Sequence, residues 1–451
     1  MNSKRARRTA LAASMWVGCT GSPGDGGAFN DGTGASGTTT TNNGDGSQQD
    51  GSATGSGGVT TMAADSTGSP IFDVGGSDTD TDLCGCATNY IWIANTEQST
   101  VSKINTETLM EEARYTTRPD GAGSPSRTSV SFTGDVAVAN RFGGLTKFYA
   151  NPADCQDVNG MPGIQTSTGS GDVLPWDMEE CRAWYVQLPT SNQRPVAWAP
   201  PEDPMQVDCS SASSQRVWTV GSTVLSIPGT GGAGGVTAWL INGDDGTILE
   251  TIDVPNFNGL QLGAYGGAVD GSGNLYFSTQ GALTFGNNQL ARIDGVTYDV
   301  TIWMVPPEVA PYGITVDHNG RVWLSSMFGA SAARFDPVTE TWDIVQGSFM
   351  SQSGLMEHPS GQMWIGTGTG AIEVDVESLA LGNVFVPGSG GDVKGISIDS
   401  EGFVWAVNDI AHKFDPASGA TVGTYAGLSS PYTYSDMTGW ALQNATCTPE
   451  G

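Results

Sequence analysis

The chain has 451 residues, enough for one large domain or two ordinary ones. Gly is abundant, at 64 residues, and charged residues make up only 14% of the sequence, which is typical of many short strands joined by tight turns. The formal net charge of −29 repels phosphate backbones and anionic membrane surfaces, so nucleic acid is excluded as an expected partner.

The N-terminus has the pattern of an export signal. Basic residues at positions 4, 5, 7 and 8 precede the short apolar stretch TALAASMWVG, which is too short to span a bilayer, and then Cys19. The WVGC sequence resembles a bacterial lipobox, which implies cleavage after Gly18 and a lipid on Cys19. The alternative is an ordinary secretory signal with an incidental cysteine. We therefore predict a signal peptide over 1–18 and an outer-membrane, cell-envelope or extracellular protein that contacts the membrane only through a lipid anchor.

Residues 19–83 follow as a segment of almost wholly Gly, Ser, Thr, Asp, Asn and Gln. Such a composition cannot bury enough apolar surface to offset the entropy of ordering. The sequence predicts a disordered tether over this range.

From residue 84 onward the chain repeats. Gly313 is followed by an acidic residue four positions on, Gly seven positions on and Trp ten positions on. The same spacing starts at Gly266, Gly354 and Gly395, with His358 at one of the acidic positions. Each unit reads as four short strands, the pattern of a β-propeller blade. The Asp-x-x-Gly segments are predicted turns, and the aromatic residue at the tenth position is predicted to pack between blades.

The two ends of the folded region share one blade. Trp92 and Asn105 have the same separation as Trp323 and Asp336, so the chain starts in the middle of a unit, and the last segment, anchored at Gly439, supplies the missing innermost strand. The sequence thus predicts an all-β, seven-bladed β-propeller over 84–451 with a composite closing blade. Insertions at about 150–184 and 199–214 would offer a contact surface.

Six cysteines remain besides Cys19, and an even number in an exported chain indicates three disulfides. A Cys155–Cys181 bridge would pin the first insertion, and Cys447 aligns near Cys84 and Cys86 at the closure. Cys209 would pair with whichever of those two is left.

The repeat PYGITVDHNGRVWLSS (311–326), followed by Arg-Phe-Asp, resembles that of the virginiamycin B lyase-like propellers, which are similar to NHL-type propellers. In that family, aromatic and His residues just before the anchor line the central channel, where with Mg²⁺ and a Glu they open a lactone by elimination. The matching positions in this chain are Tyr265, Tyr312, Ser353, Lys394 and Thr438.

None of these five positions holds His, and the strand ends at 323–326 and 364–367 lack the acidic residue of the family. His318 and His358 fall in predicted turns and His412 on a predicted strand, where solvation or a structural role is expected. No catalytic or metal-binding residue is assigned, and no cofactor is expected. Mg²⁺ or Ca²⁺ belongs only to the enzyme alternative.

The five residues before the anchors should gather at one mouth of the channel because all precede innermost strands. Two phenols and a cation there would bind a small polar or anionic ligand, the alternative being a channel that holds only water. The sequence favours a monomeric, non-catalytic binding or scaffold module of the cell envelope, with a protein or glycan as partner. A lyase- or lactonase-like metal-dependent enzyme with an altered site is the alternative.

Overall fold

A computed structural model describes residue 86 and residues 88–201, 214–222, 235–259, 262–281, 286–347, 352–388 and 391–446. The predicted signal peptide (1–18) and tether (19–83) lie outside the described residues, as do Cys19, Cys84, Cys209 and Cys447. Where the chain is described, no helix is both long and apolar enough to cross a bilayer.

Seven antiparallel sheets stand in a ring, which confirms the predicted all-β, seven-bladed β-propeller. Within each blade the strands follow chain order from the channel outward, and each innermost strand contacts that of the next blade. Blade 1 contains β1 (Tyr90–Asn95), β2 (Thr100–Asn105) and β3 (Glu111–Thr116). Blade 2 contains β4 (Pro125–Val130), β5 (Val136–Asn140), β6 (Leu145–Phe148) and β7 (Arg182–Val186). Blade 3 contains β8 (Asn192–Ala199), β9 (Arg216–Ser222), β10 (Val236–Asn242) and β11 (Ile248–Val254).

The remaining four blades have the most regular repeats. Blades 4 and 5 contain β12 (Gly266–Val269), β13 (Leu275–Ser278), β14 (Gln289–Ile293) and β15 (Val300–Met304); and β16 (Val309–Val316), β17 (Val322–Gly329), β18 (Ala332–Asp336) and β19 (Thr341–Val345). Blades 6 and 7 contain β20 (Leu355–His358), β21 (Gln362–Thr367), β22 (Gly370–Asp375) and β23 (Leu381–Phe385); and β24 (Gly395–Ile398), β25 (Val404–Val407), β26 (Ala411–Phe414) and β27 (Thr421–Tyr425). The helix α1 (Trp440–Thr446) ends the described chain, and Pro152–Asp154 and Trp176–Met178 form short 3-10 turns.

The repeated Asp residue joins the turn to the blade core. In blade 5, Asp317 Oδ1 accepts from the backbone N–H of Asn319 and Arg321, at 3.0 and 2.9 Å, and Gly320 supplies the positive φ of 76°. The other oxygen, Oδ2, accepts from the indole Nε1 of Trp323 at 2.8 Å. A carboxylate and an indole six residues apart therefore fix both the hairpin and the orientation of the core tryptophan.

These aromatic residues pack between neighbouring blades, as the sequence predicts. Trp405 of blade 7 is fully buried against Ile91 and Ile93 of blade 1, and Trp92 of blade 1 packs against Val130 of blade 2. The core of the protein is thus divided among the blade interfaces.

The chain closes the ring in the composite blade that the sequence predicts. Pro431 pairs with Asn95 at the edge of β1, and the Trp92 N–H donates to the Met437 carbonyl at 2.8 Å. Met437 is itself buried against β1. Residues 431–437 therefore form the innermost part of blade 1, which removes an exposed sheet edge.

The insertion between β6 and β7 is tied down by a disulfide and by two buried carboxylates. Cys155 and Cys181 are bonded, which confirms the predicted bridge. Glu180 accepts from the backbone N–H of Val158, at 2.8 Å, and its neighbour Glu179 accepts from that of Ser167, at 2.9 Å. Cys86 is also disulfide-bonded.

Candidate functional site

Several blades present one residue at an equivalent point of the channel mouth, at or near the start of the innermost strand. In blade 4, the N–H of Tyr265 donates at 2.8 Å to the carbonyl of Ser278, two residues after the core aromatic Tyr276. In blade 7, the N–H of Lys394 donates at 2.7 Å to the carbonyl of Val407, two residues after Trp405. In blade 1, Tyr432 makes the same bond at 3.1 Å to Ala94, two residues beyond Trp92. Tyr432 therefore holds the blade 1 position in the ring of mouth residues.

Two of the residues expected at the mouth bond instead to the backbone of a neighbouring blade. Thr438, six positions beyond Tyr432, donates its hydroxyl to the Ile398 carbonyl at 2.5 Å. Ser353 is fully buried and donates to the Lys394 carbonyl at 3.1 Å. The side chain of Lys394 is partly exposed, with Nζ 3.6 Å from Asp392 Oδ2.

Four phenols meet at the mouth. Tyr432 lies with its hydroxyl 2.6 Å from that of Tyr265 and 3.0 Å from that of Tyr312. Tyr312 is in turn 2.6 Å from the hydroxyl of Tyr434. Tyr265, Tyr312 and Tyr434 are buried, whereas Tyr432 is half-buried and is the outermost of the four. The structure thus brings together two of the predicted residues, Tyr265 and Tyr312, with two from the closing segment.

Three arginines from blades 2 and 3 stack on these rings. The guanidinium carbon of Arg127 is 4.4 Å from the ring centre of Tyr434, that of Arg141 is 4.2 Å from Tyr432, and that of Arg194 is 5.0 Å from Tyr265. Cations over the faces of aromatic rings are attracted by the ring quadrupole. We call this group of four tyrosines and three arginines the Tyr–Arg cluster.

Arg194 belongs to the same ring of mouth residues. In blade 3 the core residue Trp218 pairs with Ala197, three residues after Arg194. In blade 4 the corresponding pair is Tyr276 and Ala268, three residues after Tyr265. Arg194 thus stands in blade 3 where tyrosines stand in blades 4 and 5.

The positive charge of the Tyr–Arg cluster has no carboxylate partner within the described part of the chain. Arg194 Nε and Nη1 and Arg141 Nε are buried and have no hydrogen-bond partner there. Among the described residues, Arg127 donates to two backbone carbonyls, those of Ser126 at 2.8 Å and Tyr265 at 3.4 Å. Buried guanidinium N–H groups without acceptors are costly, so this arrangement favours an acceptor supplied from outside.

The cluster shifts the pKa values of its phenols in opposite directions. Burial alone raises the pKa of Tyr432, but the charges of Arg127 and Arg194, with hydrogen bonds from Tyr265 and Tyr312, outweigh it and lower the pKa to about 7. Burial, followed by the nearby negative charge of Tyr432, raises the pKa of Tyr265 to about 12. Negative charge at the mouth is therefore concentrated on one oxygen.

Below the cluster the channel is narrow and apolar. A cavity of about 30 Å³ lies among the innermost strands, lined by residues such as Val196, Ile314 and Met356, and Leu442 of α1 also lines it. That volume holds a few water molecules at most, and no metabolite. Asp436 lines it too, and burial raises the pKa of this carboxyl to about 6.

The Mg²⁺ site that the lyase resemblance implies does not fit the residues present. Within the described ranges, no three His, Cys, Asp or Glu side chains are grouped so that they could hold a metal ion. The histidines have other contacts: His318 Nδ1 is 2.6 Å from the buried Glu357 Oε1, and His358 Nε2 is 2.9 Å from the Gly402 carbonyl. His318, expected to be solvated, thus helps to hold the carboxylate that also accepts from Asn444 of α1, at 2.7 Å.

Sequence reasoning missed Tyr432, Tyr434 and the three arginines. One signal was present for Tyr432, since Pro431 and Tyr432 repeat the Pro-Tyr pair at 311–312. Alignment of the last segment on Gly439 placed Thr438 at the mouth, six residues beyond Tyr432. The arginines had no such signal, because the repeats of blades 2 and 3 are interrupted by insertions.

No protein-family model matches the sequence, and no curated protein matches it. Solved structures do resemble it. A functionally unknown protein from Desulfotomaculum acetoxidans DSM 771 has a TM-score of 0.52 at 13% identity, covering 76% of this chain and 97% of that one. A protein from Lactobacillus plantarum has a TM-score of 0.51 at 11% identity, with coverages of 76% and 98%. A catalytically inactive virginiamycin B lyase from Staphylococcus aureus, solved with quinupristin, has a TM-score of 0.47 at 14% identity, with coverages of 72% and 94%. At these identities the likeness is one of fold alone.

Proposed function

We propose that this protein is an exported, monomeric binding module of the cell envelope whose channel mouth binds a small anionic ligand without transforming it. The observation that carries the proposal is the Tyr–Arg cluster: three guanidinium groups converge where the described chain supplies no carboxylate. In a chain of net charge −29, an unpaired group of cations is best explained by a ligand that neutralises it.

The ligand class follows from the lining. Planar guanidinium groups bind carboxylates through paired N–H donors, so a carboxylate is the favoured anion. The aromatic rings of the cluster, together with Leu262 and Met327 packed against it, favour an apolar body on that carboxylate. Phe142 and Phe328, both about half exposed, follow Arg141 and Met327 in sequence and would extend this apolar lining outward.

The export signal, the lipid on Cys19 and the tether of 19–83 complete the proposal. They would hold the propeller at the cell envelope, where the insertion around the Cys155–Cys181 disulfide would contact a protein or glycan. Radiolabelled lipid on wild-type protein, and none on Cys19→Ser, supports the anchor. Equal labelling of both would contradict it.

The binding role is tested by calorimetric titration of the full chain with sodium benzoate, using benzyl alcohol as the neutral control. We expect benzoate to bind and the alcohol not to bind. Arg194→Gln and Arg141→Gln each remove a charge-assisted donor and should weaken benzoate binding about 10- to 100-fold. Arg334→Gln, which loses a pair with Asp343 and a hydrogen bond to the Val376 carbonyl, both outside the cluster, is the matched control and should bind as the wild type does. Equal binding of acid and alcohol would contradict the proposal.

One observation favours a second candidate, an enzyme of the lyase or lactonase kind. A phenol with a pKa near 7 can act as a general base, and adjacent guanidinium groups can stabilise negative charge that develops on a carbonyl oxygen. Tyr432 would be that base. Turnover of cyclic esters that is lost in Tyr432→Phe, in protein of unchanged circular dichroism, would support this candidate. Stable lactones after prolonged incubation with the wild type would exclude it for those substrates.

A further inference from the structure

The hydroxyl of Tyr432 is an interior member of a chain of hydrogen bonds. Three bonds join four hydroxyls in the order Tyr434, Tyr312, Tyr432 and Tyr265. Four hydroxyls carry four protons, so one proton is left over after the three bonds are made.

The position of the odd proton follows from burial. If Tyr434 and Tyr265 both donate inward and Tyr312 donates to Tyr432, Tyr432 accepts twice and the fourth proton lies on its outer side. Any other order leaves the O–H of a more deeply buried phenol, Tyr265, Tyr312 or Tyr434, each at most 6% exposed, without an acceptor among the described residues. An unpaired buried donor costs about 1–3 kcal/mol. The odd proton therefore belongs to Tyr432, the half-buried member.

The groups that face Tyr432 then decide whether it keeps this proton. Arg127 and Arg141 face it from blade 2 and Arg194 from blade 3, while Tyr265, Tyr312 and Tyr434 present neutral phenols from blade 4, blade 5 and its own segment. Three positive charges against no described carboxylate favour an ionised oxygen. The lowered pKa of Tyr432, about 7, agrees with this arrangement.

We propose that ionised Tyr432 is the internal counter-ion of the empty mouth, and that a carboxylate ligand replaces its charge while Tyr432 takes up one proton from solvent. This inference rests on the proposed function of the mouth as an anion site. No covalent bond changes: the proton adds to the phenolate oxygen, and the ligand carboxylate accepts from the arginines. Tyr432 is then the residue that makes binding depend on pH.

The coupling predicts a definite pH profile. Where Tyr432 is mostly ionised, each bound carboxylate must be accompanied by a proton, so the affinity should fall by up to about tenfold per pH unit above about pH 7. Below that pH, Tyr432 already carries the proton, and the affinity should level off.

The test is calorimetric titration of the full-length protein with sodium benzoate at about pH 8, in triethanolamine and in Tris buffer, which are not anions and whose ionisation enthalpies differ. The difference in observed heat gives the protons taken up. The near-ultraviolet absorbance of tyrosinate is followed in the same titration. We expect proton uptake approaching one per benzoate and a matching loss of tyrosinate absorbance. In Tyr432→Phe both signals should vanish, and the ratio of affinities between about pH 7 and pH 9 should collapse towards one. Tyr185→Phe, which removes a surface phenol outside the cluster, should retain both signals.

The outcomes separate the two proposals. Benzoate binding with no proton uptake and no change in tyrosinate absorbance would overturn the role of Tyr432 and leave the anion site standing. No benzoate binding at any pH would overturn the proposed function and the inference with it. Because the wild-type absorbance alone is decisive, the test does not depend on the folding of Tyr432→Phe.

Discussion

Asp436 is a single carboxyl group placed in an apolar channel. Its Oδ1 accepts from the backbone N–H of Thr438 and Gly439, at 3.2 and 2.9 Å, whereas Oδ2 has no hydrogen-bond partner in the described chain. Burial raises the pKa of this carboxyl to about 6, although the backbone hydrogen bonds act in the opposite direction. Asp436 therefore holds the closing segment beside the channel, and its ionisation lowers the stability of the folded protein.

The cost should appear as a pH dependence of unfolding. Because the folded pKa lies above the unfolded value of about 3.9, the folded state binds more protons between about pH 4 and pH 6, and stability falls as the pH rises through that window. At neutral pH the penalty is on the order of 3 kcal/mol. In thermal melts, the melting temperature of the wild type should therefore fall more across this window than that of Asp436→Asn.

The exposed Asp409 gives the matched control, since Asp409→Asn should follow the wild type. Parallel melting curves for wild type and Asp436→Asn from about pH 4 to pH 7 would show that Asp436 titrates as an ordinary carboxyl.

The sequence predicted the roles of some single residues and missed others. Asp317, Gly320 and Trp323 recur at fixed spacing because every blade needs the same turn and the same core aromatic, so their roles were readable. Tyr432 was missed because the register of a closing strand depends on pairing with residues more than 300 positions away. Between the Tyr432–Ala94 bond and the Met437–Trp92 bond, the closing segment advances by five residues and β1 by only two. The repeats do not predict this irregularity.

At the scale of elements, the segment from Pro431 to α1 joins the two ends of the propeller. It supplies the inner part of blade 1, and Trp440 of α1 donates its indole N–H to the Glu357 carbonyl in blade 6 at 2.7 Å. Leu442 lines the channel cavity. The sequence predicted that the last segment completes blade 1, but the strand expected from Gly439 onward is wrong, because α1 occupies that position. The helix was not predicted, since only seven residues form it and their pattern has less than two full turns.

Removing this segment tests its role. A chain that ends at Ser430 loses the closing hydrogen bonds and exposes the edge of β1, so we expect aggregation and a broad thermal transition in place of a cooperative one. Circular dichroism melts and size-exclusion chromatography measure both. Adding a synthetic peptide of residues 431–446 should partly restore the sharp transition. A truncated chain that melts as a soluble monomer, with the wild-type midpoint, would contradict the role given to the closure.

At the scale of the whole molecule, the propeller gathers residues from distant blades at one mouth. The Tyr–Arg cluster draws on blades 1 to 5, with no two of the three arginines adjacent in sequence. The blade count and closure were predictable because they follow from a period in the sequence. The cluster was not, since it depends on which residues the ring brings together and on a charge distribution that the net value of −29 conceals.

Whether this mouth binds a carboxylate can be seen in a crystal structure of the protein with para-bromobenzoate, located by the anomalous scattering of bromine. We expect one ordered molecule at the mouth, with its carboxylate among Arg127, Arg141 and Arg194 and its bromine directed outward past Tyr432. Bromine density only elsewhere on the protein, with the mouth empty at saturating ligand, would contradict it.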